Sequence, residues 1–332
     1  MSDPLPRYAP APLMEPPTES MPEVHVEAAE ATSAGELVAG RYRLLERLGD
    51  GAMGSVYLAE HEALHRRVAL KFLHETFTGN TEIAARFARE AVAAARIDHP
   101  NVIAVYDSGT DERGRCFLAM EYCKGEELRA ALHRDGVFTR ARTLDVARQV
   151  AAALDHAHGL GIVHRDIKPE NVLLLRREDG GEAVKVIDFG IARVFQPEAT
   201  GQPLTRAGIV LGTPEYMAPE QALGVDIDHR VDLYAFAVMT YELLVGRRPF
   251  DADDLMAVLM KHINAPPPPP SSLRPDAGIP PAVDAVFAKA LAKAPGDRYP
   301  TAAAFVDALT HFGSCSLFHD SGRVLGMSTT YR

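Results

Sequence analysis

The sequence of 332 residues contains no tryptophan and has only three cysteines, Cys116, Cys123 and Cys315. Their number is odd, and no two of them form a Cys-x-x-Cys pair, so the sequence indicates neither a disulfide framework nor a zinc site. It is typical of a protein in a reducing compartment. Long apolar runs are also lacking. The best candidate for a membrane span, residues 231–245, is too short and is interrupted by two acidic residues. The N-terminus has no apolar core of the signal-peptide kind, so we expect a cytoplasmic protein without a membrane span.

Positive charge is scarce as well. The 35 Lys and Arg residues face 45 Asp and Glu residues, which gives a formal net charge of −10. Binding to nucleic acid through a basic surface needs the opposite balance, so we expect no nucleic-acid partner. Much of the excess acidity lies in the first 36 residues, which are rich in proline and glutamate. Such a segment buries too little apolar surface to offset its ordering entropy.

We therefore predict a disordered tail over residues 1–40, acting as a spacer or as a regulatory docking arm. A second tail is predicted over residues 313–332. The part between them has the composition of a folded chain, since 47% of all residues are hydrophobic. Its length suits one two-lobed domain or two average ones.

The most informative stretch is H-R-D-I-K-P-E-N at residues 164–171, followed by an apolar run at 172–175. Pro169 cannot lie inside a helix or a central strand, which places the polar residues on a loop, and the apolar run suits a buried strand. On this loop Asp166 can accept a proton from a hydroxyl and Lys168 can lie over a transferring phosphoryl group. Asn171 can hold a divalent cation by its amide oxygen. For each residue alone a plain polar loop with a turn proline is the better interpretation; for the whole string it is not.

This string resembles the catalytic loop of the protein kinases, and the chain is similar to that family from about Tyr42 to Phe312. The resemblance implies a two-lobed α+β fold. It places a small lobe, an antiparallel sheet with one main helix, at residues 42–121, a hinge at 122–125 and a larger helical lobe at 126–312. The Lys168-Pro169 pair is similar to the Ser/Thr branch, and other features are similar to its bacterial eukaryotic-like (Hanks-type) members. The implied activity is transfer of the ATP γ-phosphoryl group to Ser or Thr hydroxyls of protein substrates, with Mg²⁺ as cofactor and Mn²⁺ as an alternative.

A glycine-rich stretch, G-D-G-A-M-G-S-V at residues 49–56, lies between two predicted strands. A G-x-G-x-x-G pattern also occurs in dinucleotide-binding turns and plain hairpins, but here more strand follows instead of a helix, which disfavours a Rossmann turn. By the resemblance this hairpin covers ATP, and the hinge backbone bonds the adenine. The implied ATP-binding residues are Leu48, Gly49, Asp50, Gly51, Ala52, Met53, Gly54, Ser55, Val56, Ala69, Lys71, Glu121, Cys123 and Leu173.

Three further charged residues acquire roles through the resemblance. Lys71, in the strand V-A-L-K-F at 68–72, contacts the nucleotide phosphates, although an isolated lysine there would face solvent. Glu90, in the middle of the helix predicted from Thr81, pairs with Lys71 in the active state, the alternative being a solvated face. Asp188, in D-F-G at 188–190, binds Mg²⁺ together with Asn171, the alternative being a turn residue.

The segment from Ile191 to Met217 is long and polar and is similar to an activation segment that closes with G-T-P-E-Y-M-A-P-E at 212–220. By the resemblance Thr213 bonds the catalytic Asp and Lys, and Thr205 is an autophosphorylated threonine whose phosphate Arg165 receives. We expect this modification to raise activity.

Several structural expectations accompany these. Glu220 is expected to pair with Arg298, and Asp232, on a buried central helix, to hold the backbone of the catalytic loop. We predict a strand over Ile103 to Tyr106 and a helix beginning at residues 125–128. The proline run at 266–270 is interpreted as a stiff connector or an SH3-type ligand.

Two other classes of function compete with the kinase interpretation. A pseudokinase scaffold is expected to lack at least one of four residues, Lys71, Asp166, Asn171 and Asp188, and all four are present. A small-molecule phosphotransferase of kinase-like fold is expected to lack the segment from Thr213 to Glu220. A homodimer is an open alternative, because relatives in the family dimerise through the small lobe.

Overall fold

The computed structural model describes residues 34–51, 54–74, 81–190, 213–225 and 227–314. Most of the two predicted tails, and the predicted site residues Ala52, Met53 and Thr205, lie outside the described residues. From Ala34 onward the described residues belong to a single compact unit.

The small lobe is a six-stranded antiparallel sheet with the strand order β1-β2-β3-β4-β6-β5. Its strands are β1 (Leu37–Val38), β2 (Tyr42–Gly51), β3 (Gly54–His61), β4 (Arg66–Leu73), β5 (Val105–Thr110) and β6 (Cys116–Glu121). Helix α1 (Thr81–Ala94) follows β4. Phe87, Ala91 and Ala94 recur at helical spacing and are buried, and the first two pack on Cys116 and Leu118 of the sheet. The helix begins at Thr81, as predicted.

The folded part begins earlier than the boundary we predicted at residue 40. Leu37 and Val38 pair with Arg43 and Tyr42, and Val38 is fully buried. Glu36 forms an ion pair with the buried guanidinium of Arg115 in the β5–β6 hairpin. The prediction was wrong here because composition describes a long segment and cannot show that its last few residues add a strand to a sheet.

The strand predicted at Ile103 to Tyr106 is also displaced, since β5 runs from Val105 to Thr110. Ile103 instead donates its backbone N–H to the carbonyl of Val186, and its side chain packs with Ala69 and Met120. The apolar segment at Ile103 therefore contacts both lobes, and the more polar sequence after it forms the edge strand β5.

The large lobe is mainly helical. Its elements are β7 (Glu126–Glu127), α2 (Leu128–Asp135), α3 (Arg140–Gly159), β8 (Val172–Arg176), β9 (Glu182–Val186), α4 (Pro219–Leu223), α5 (Arg230–Val245), α6 (Leu255–Asn264), α7 (Pro270–Leu273), α8 (Pro281–Ala290) and α9 (Ala302–Ser314). Helix α5 is buried all round, as predicted for the central helix. The last helix runs past the domain end that we predicted at residue 312. None of the helices in the described ranges is long and apolar enough to span a bilayer.

The helix predicted to begin at residues 125–128 starts only at Leu128. Glu126 and Glu127 pair with Leu174 and Leu173, so β7 joins β8 and β9 in a small second sheet. Gly125 is required by this contact, because a Cβ there would lie 2.9 Å from the carbonyl oxygen of Leu174. The second sheet positions the catalytic loop, which ends directly before β8.

The ion pair predicted between Glu220 and Arg298 is present and buried. The two Arg298 Nη atoms donate to the two carboxylate oxygens of Glu220 at 2.6 and 2.7 Å, and Arg298 also donates to three backbone carbonyls. Such complete pairing is what a buried charge pair needs to offset its desolvation.

Candidate active site

The catalytic loop is held from below by one buried carboxylate. Asp232 on α5 accepts hydrogen bonds from the backbone N–H groups of His164 at 2.8 Å and Arg165 at 2.7 Å, and its Oδ2 lies 2.8 Å from His158 Nε2. Burial alone would raise the pKa of Asp232, but the hydrogen bonds and charge of His158 and the N–H of His164 outweigh it and lower the pKa. Asp232 is therefore an ionised anchor, as the sequence predicted.

Two residues of the site have left-handed backbone conformations without being glycine. The φ angles are +71° at Arg165 and +64° at Asp188. Such conformations are costly and persist only where the surroundings enforce them. At Arg165 the enforcement comes from Asp232 on the N–H and from the Gln221 side chain, which donates to the carbonyl at 3.2 Å.

Three predicted residues meet around the carboxylate of Asp166. Lys168 Nζ lies 2.7 Å from Asp166 Oδ2 and 2.5 Å from the hydroxyl oxygen of Thr213. Asn171 Nδ2 donates to Asp166 Oδ2 at 3.2 Å and to its backbone carbonyl at 2.7 Å. Because the amide nitrogen of Asn171 is turned toward Asp166, its oxygen remains to accept a ligand. The predicted contact of Thr213 with Lys168 is thus present.

Lys71 and Asp188 lie together on the other side of the site. Lys71 Nζ is 2.7 Å from Asp188 Oδ2, although the two residues are 117 positions apart. Asp188 is tied to the catalytic loop through its neighbours. The N–H of Ile187 donates to the carbonyl of Asn171 at 3.0 Å, and the ring of Phe189 packs edge-on against His164 with centroids 4.7 Å apart.

Glu90 also reaches this region from α1. Its Oε2 lies 3.1 Å from where a Cβ at Gly190 would be, and the φ of +74° at Gly190 independently favours glycine. The ion pair of Lys71 in this structure is with Asp188. The pairing of Glu90 with Lys71 stays a prediction for the active state.

The glycine-rich hairpin joins β2 to β3, and its polar residues are tied to each other. Asp50 lies 2.5 Å from Arg47 Nη2 and accepts the Ser55 hydroxyl at 2.5 Å. These two contacts lower the pKa of the exposed Asp50 carboxyl, with Ser55 contributing most. Leu48 and Asp50 are both exposed.

The three glycines of the hairpin differ in what surrounds them. Among the residues that the structure describes, a Cβ added at Gly49 would meet nothing within 4 Å, and one at Gly51 would meet the carbonyl oxygen of Gly54 at 3.8 Å. At Gly54 it would lie 1.8 Å from the carbonyl oxygen of Phe72. Gly54 is therefore needed for strand packing, and the space at Gly49 and Gly51 suits a close approach of backbone N–H groups to phosphate.

The predicted adenine end is apolar. Val56 packs against a cluster that includes Ala69 and Met120, and Leu173 on β8 is partly buried. Cys123 is half-buried, and burial raises the pKa of its thiol to about 11, followed by the effect of Glu121. The raised pKa keeps the thiol protonated at neutral pH, in line with a residue that contributes only its backbone.

Sequence reasoning missed several supporting residues. Lys185 on β9 contacts Glu121 Oε2 at 2.8 Å and the carbonyl of Val102 at 3.1 Å, which ties the end of β6 to the large lobe. Lys185 alternates on a strand and gives no signal of this contact. The nearest signal for Gln221 was its place directly after the A-P-E of residues 218–220.

The donor set near Asp188 has the chemistry of a hard-cation site. It offers a carboxylate at Asp188 and an amide oxygen at Asn171, which are ligands of the kind that Mg²⁺ takes. Across the described ranges no three His, Cys, Asp or Glu side chains cluster as an all-protein metal cage. The residues fit a cation that keeps water or phosphate oxygens among its ligands.

Comparisons with known proteins identify relatives. Residues 42–309 match the family described as protein kinase domain. The chain is 45% identical over 271 residues to the serine/threonine-protein kinase pkn3 of Myxococcus xanthus, covering 82% of this chain and 50% of that relative. It is 42% identical over 266 residues to PknB of Mycolicibacterium smegmatis, covering 79% and 41%. The chain thus spans half or less of the length of these two curated relatives.

Solved structures show the same likeness. The kinase domain of Mycobacterium tuberculosis PknI is similar to this chain with a TM-score of 0.66 at 33% identity. The likeness covers 85% of this chain and 99% of that domain.

Proposed function

This chain belongs to the protein kinase family, and from that premise we propose that it is a serine/threonine protein kinase of the bacterial eukaryotic-like (Hanks-type) branch. It transfers the γ-phosphoryl group of ATP to hydroxyl groups of protein substrates. The relatives named above are serine/threonine kinases by name, and the family uses ATP with a divalent metal.

The observation that carries the proposal is the convergence of the site. Lys71 and Asp188 are in contact, and so are Asp166, Lys168, Asn171 and Thr213, and the bond from Ile187 to Asn171 joins the two groups. These residues come from four separate stretches of the chain. A polar loop of no function would not need a buried carboxylate to hold two successive N–H groups in a strained conformation.

The residues have separable tasks in this mechanism. Asp166 accepts the proton of the substrate hydroxyl while the hydroxyl oxygen bonds to the γ-phosphorus of ATP. The bond from that phosphorus to the β–γ bridging oxygen breaks, and ADP leaves. Lys168, between Asp166 and Thr213, neutralises charge on the transferred group. Lys71 binds the remaining phosphates. Positioning and charge neutralisation supply most of the rate, since phosphoryl transfer needs little covalent help.

Asn171 and Asp188 would hold the metal, and we propose that it is Mg²⁺, with Mn²⁺ as an alternative. When bound, such a cation neutralises phosphate charge. The support is the oxygen-only donor pair beside Lys71, because Mg²⁺ prefers few protein ligands together with water and phosphate.

Thr205, which lies outside the described residues, is proposed as an autophosphorylation site that raises activity. The support is the position of Arg165, its proposed phosphate partner, whose backbone is fixed on both sides by Asp232 and Gln221. Thr205→Ala should lower the transfer rate of protein preincubated with Mg-ATP about tenfold. A variant as active as the parent protein would remove this part of the proposal.

We place the protein in the cytoplasm, with protein substrates and without nucleic-acid partners; a homodimer remains an alternative. The cytoplasmic location is supported by the low cysteine content, which is typical of proteins in a reducing compartment.

Incubation with Mg-ATP and a generic basic protein tests the proposal against its two rivals. The parent should label the protein on serine or threonine, and Asp166→Asn should lower the rate by at least about 100-fold, because general-base catalysis is worth that much. A scaffold would label nothing. A small-molecule phosphotransferase would consume ATP only with a small acceptor.

A further inference from the structure

A charged cluster that no motif predicted lies beside the acceptor end of the site. Arg129, near the start of α2, donates from Nε to Glu170 Oε1 and from Nη1 to Glu242 Oε1, both at 2.8 Å. Its Nη2 donates to the hydroxyl oxygen of Tyr216, and that hydroxyl donates to Glu242 Oε2. One guanidinium thus joins three parts of the chain.

The partners of Arg129 are next to the proposed catalytic groups. Glu170 is on the catalytic loop, two residues after Lys168. Tyr216 ends the turn Pro214–Tyr216 that follows Thr213, whose hydroxyl contacts Lys168. Arg129 therefore ties the loop that carries the base to the segment that follows the threonine of the site.

The cluster is shielded from water on one side and is unbalanced in charge. The Arg129 side chain is 18% exposed, that of Glu242 is 7% exposed and Tyr216 is buried, whereas the Glu170 side chain is 39% exposed. Two carboxylates face one guanidinium, which leaves one negative charge in excess. In the part of the chain that the structure describes, Glu170 Oε2 is buried with no hydrogen-bond partner. A buried acceptor of this kind favours an additional donor.

We propose that Arg129 is a positioning residue that also sets specificity. Its guanidinium fills a negatively charged pocket, formed by Glu170 and Glu242, beside the site where the substrate hydroxyl is phosphorylated. Arg129 thereby fixes the turn that ends at Tyr216, and it keeps basic side chains of substrates out of that pocket. The inference rests on the proposed kinase activity. Without Arg129 the pocket becomes a site for a guanidinium brought by the substrate.

The test measures peptide phosphorylation by the full chain. The acceptors are peptides with a single serine in an alanine background, with one arginine placed in turn at each position on either side. The parent protein should phosphorylate all of these peptides at similar rates, which we call a flat profile. Arg129→Ala should prefer arginine over alanine about tenfold at one or two positions, the value of one charge-assisted hydrogen-bond pair.

Kinetics on the arginine-free peptide separate positioning from general damage. In Arg129→Ala the KM for that peptide should rise about tenfold, while kcat and the KM for ATP stay within about twofold. Millimolar guanidinium chloride should restore the peptide KM. Arg129→Lys, which keeps the charge without the planar fork, should fall in between and serves if Arg129→Ala does not fold.

Arg134→Ala is the matched control, since Arg134 is on the same helix and pairs with Glu126 and Asp135 at the surface. It should keep the flat profile. Adding Glu170→Gln to Arg129→Ala should remove the new preference for arginine.

Two results would overturn this inference while leaving the proposed kinase activity intact. One is an active parent that already selects arginine at the same position; the other is a variant whose profile matches the parent while its kcat and ATP KM fall together. A parent that phosphorylates no peptide and labels no protein would show instead that the proposed function itself has failed.

Discussion

The catalytic loop and the glycine-rich hairpin both face the same proposed ligand, but they are built in opposite ways. In the loop the side chains act, and each is anchored: Asp232 holds the backbone, and Asp166 and Lys168 hold each other. In the hairpin the proposed ligand contacts are backbone N–H groups, and the polar side chains lie at the surface, with Asp50 54% exposed. Side-chain chemistry needs a fixed scaffold, while backbone recognition needs open space.

The first prediction breaks the anchored side of this comparison. Asp232→Ala removes the acceptor for two backbone N–H groups and the partner of His158, so the strained loop loses its support. Because misplacing a catalytic group by about 1 Å can cost about 100-fold, phosphoryl transfer should fall by at least that factor. Two buried backbone N–H groups left without an acceptor should lower the free energy of unfolding by about 3 kcal/mol.

Asp228→Ala is the control for this variant, because Asp228 caps the start of the same helix from an exposed position. Urea unfolding and the transfer rate, measured on both variants, check the prediction. An Asp232→Ala protein with the parent's rate would show that the loop does not depend on this anchor.

The second prediction sharpens the contrast within the hairpin. Gly54→Ala places a methyl group against the Phe72 carbonyl and should cost about 2 kcal/mol of unfolding free energy. Gly49→Ala, where the space is open, should cost less than about 1 kcal/mol and should instead raise the KM for ATP. Urea unfolding and ATP kinetics separate the two effects. Equal destabilisation by both substitutions would contradict the distinction between packing and ligand-facing glycines.

The third and smallest prediction concerns pH and a second anchor, His262 on α6. It is fully buried, lies 3.0 Å from the Tyr234 hydroxyl through Nδ1 and 3.1 Å from the Glu215 carbonyl through Nε2. Burial, followed by the charge of Lys293, lowers the pKa of His262 from 6.5 to about 3. Since the unfolded chain binds this proton and the folded chain does not, the stability present above pH 6.5 is lost as pH falls toward 3.

Lowering the pH from about 7.5 to about 5.5 should therefore cost about 1.4 kcal/mol of unfolding free energy through His262. Asp232 adds no slope there, because its pKa lies below this pH window in the unfolded chain and is lowered further in the folded chain. Lys293, whose pKa burial lowers to about 8, stays mostly protonated across the window and adds only a small slope near its upper end. Unfolding of His262→Gln at both pH values measures the contribution. A slope as steep as the parent's would exclude His262 as its source.

Much of the site could be predicted because its residues occur in dense local patterns. The loop at 164–171 and the D-F-G at 188–190 are such strings, and the pairing of Glu220 with Arg298, 78 residues apart, was expected through the resemblance that these strings carry. What failed depended on distant partners that lie outside any motif. Arg129 and Glu242 are 113 residues apart and belong to ordinary helical sequence, so nothing local marks their contact. The strand Leu37–Val38 was missed because two residues at a sheet edge give no periodicity to detect.

The central claim is that Lys71, Asp166, Asn171 and Asp188 surround one bound triphosphate. Calorimetric titration of Mg-ATP into the parent protein, Lys71→Met and Asp188→Asn tests it most directly, with Lys289→Met on α8 as the control. The account predicts one saturable site in the parent and in the control, and affinity weakened at least about tenfold in the two site variants. A parent that binds no Mg-ATP, or site variants that bind it as tightly as the parent, would contradict the account.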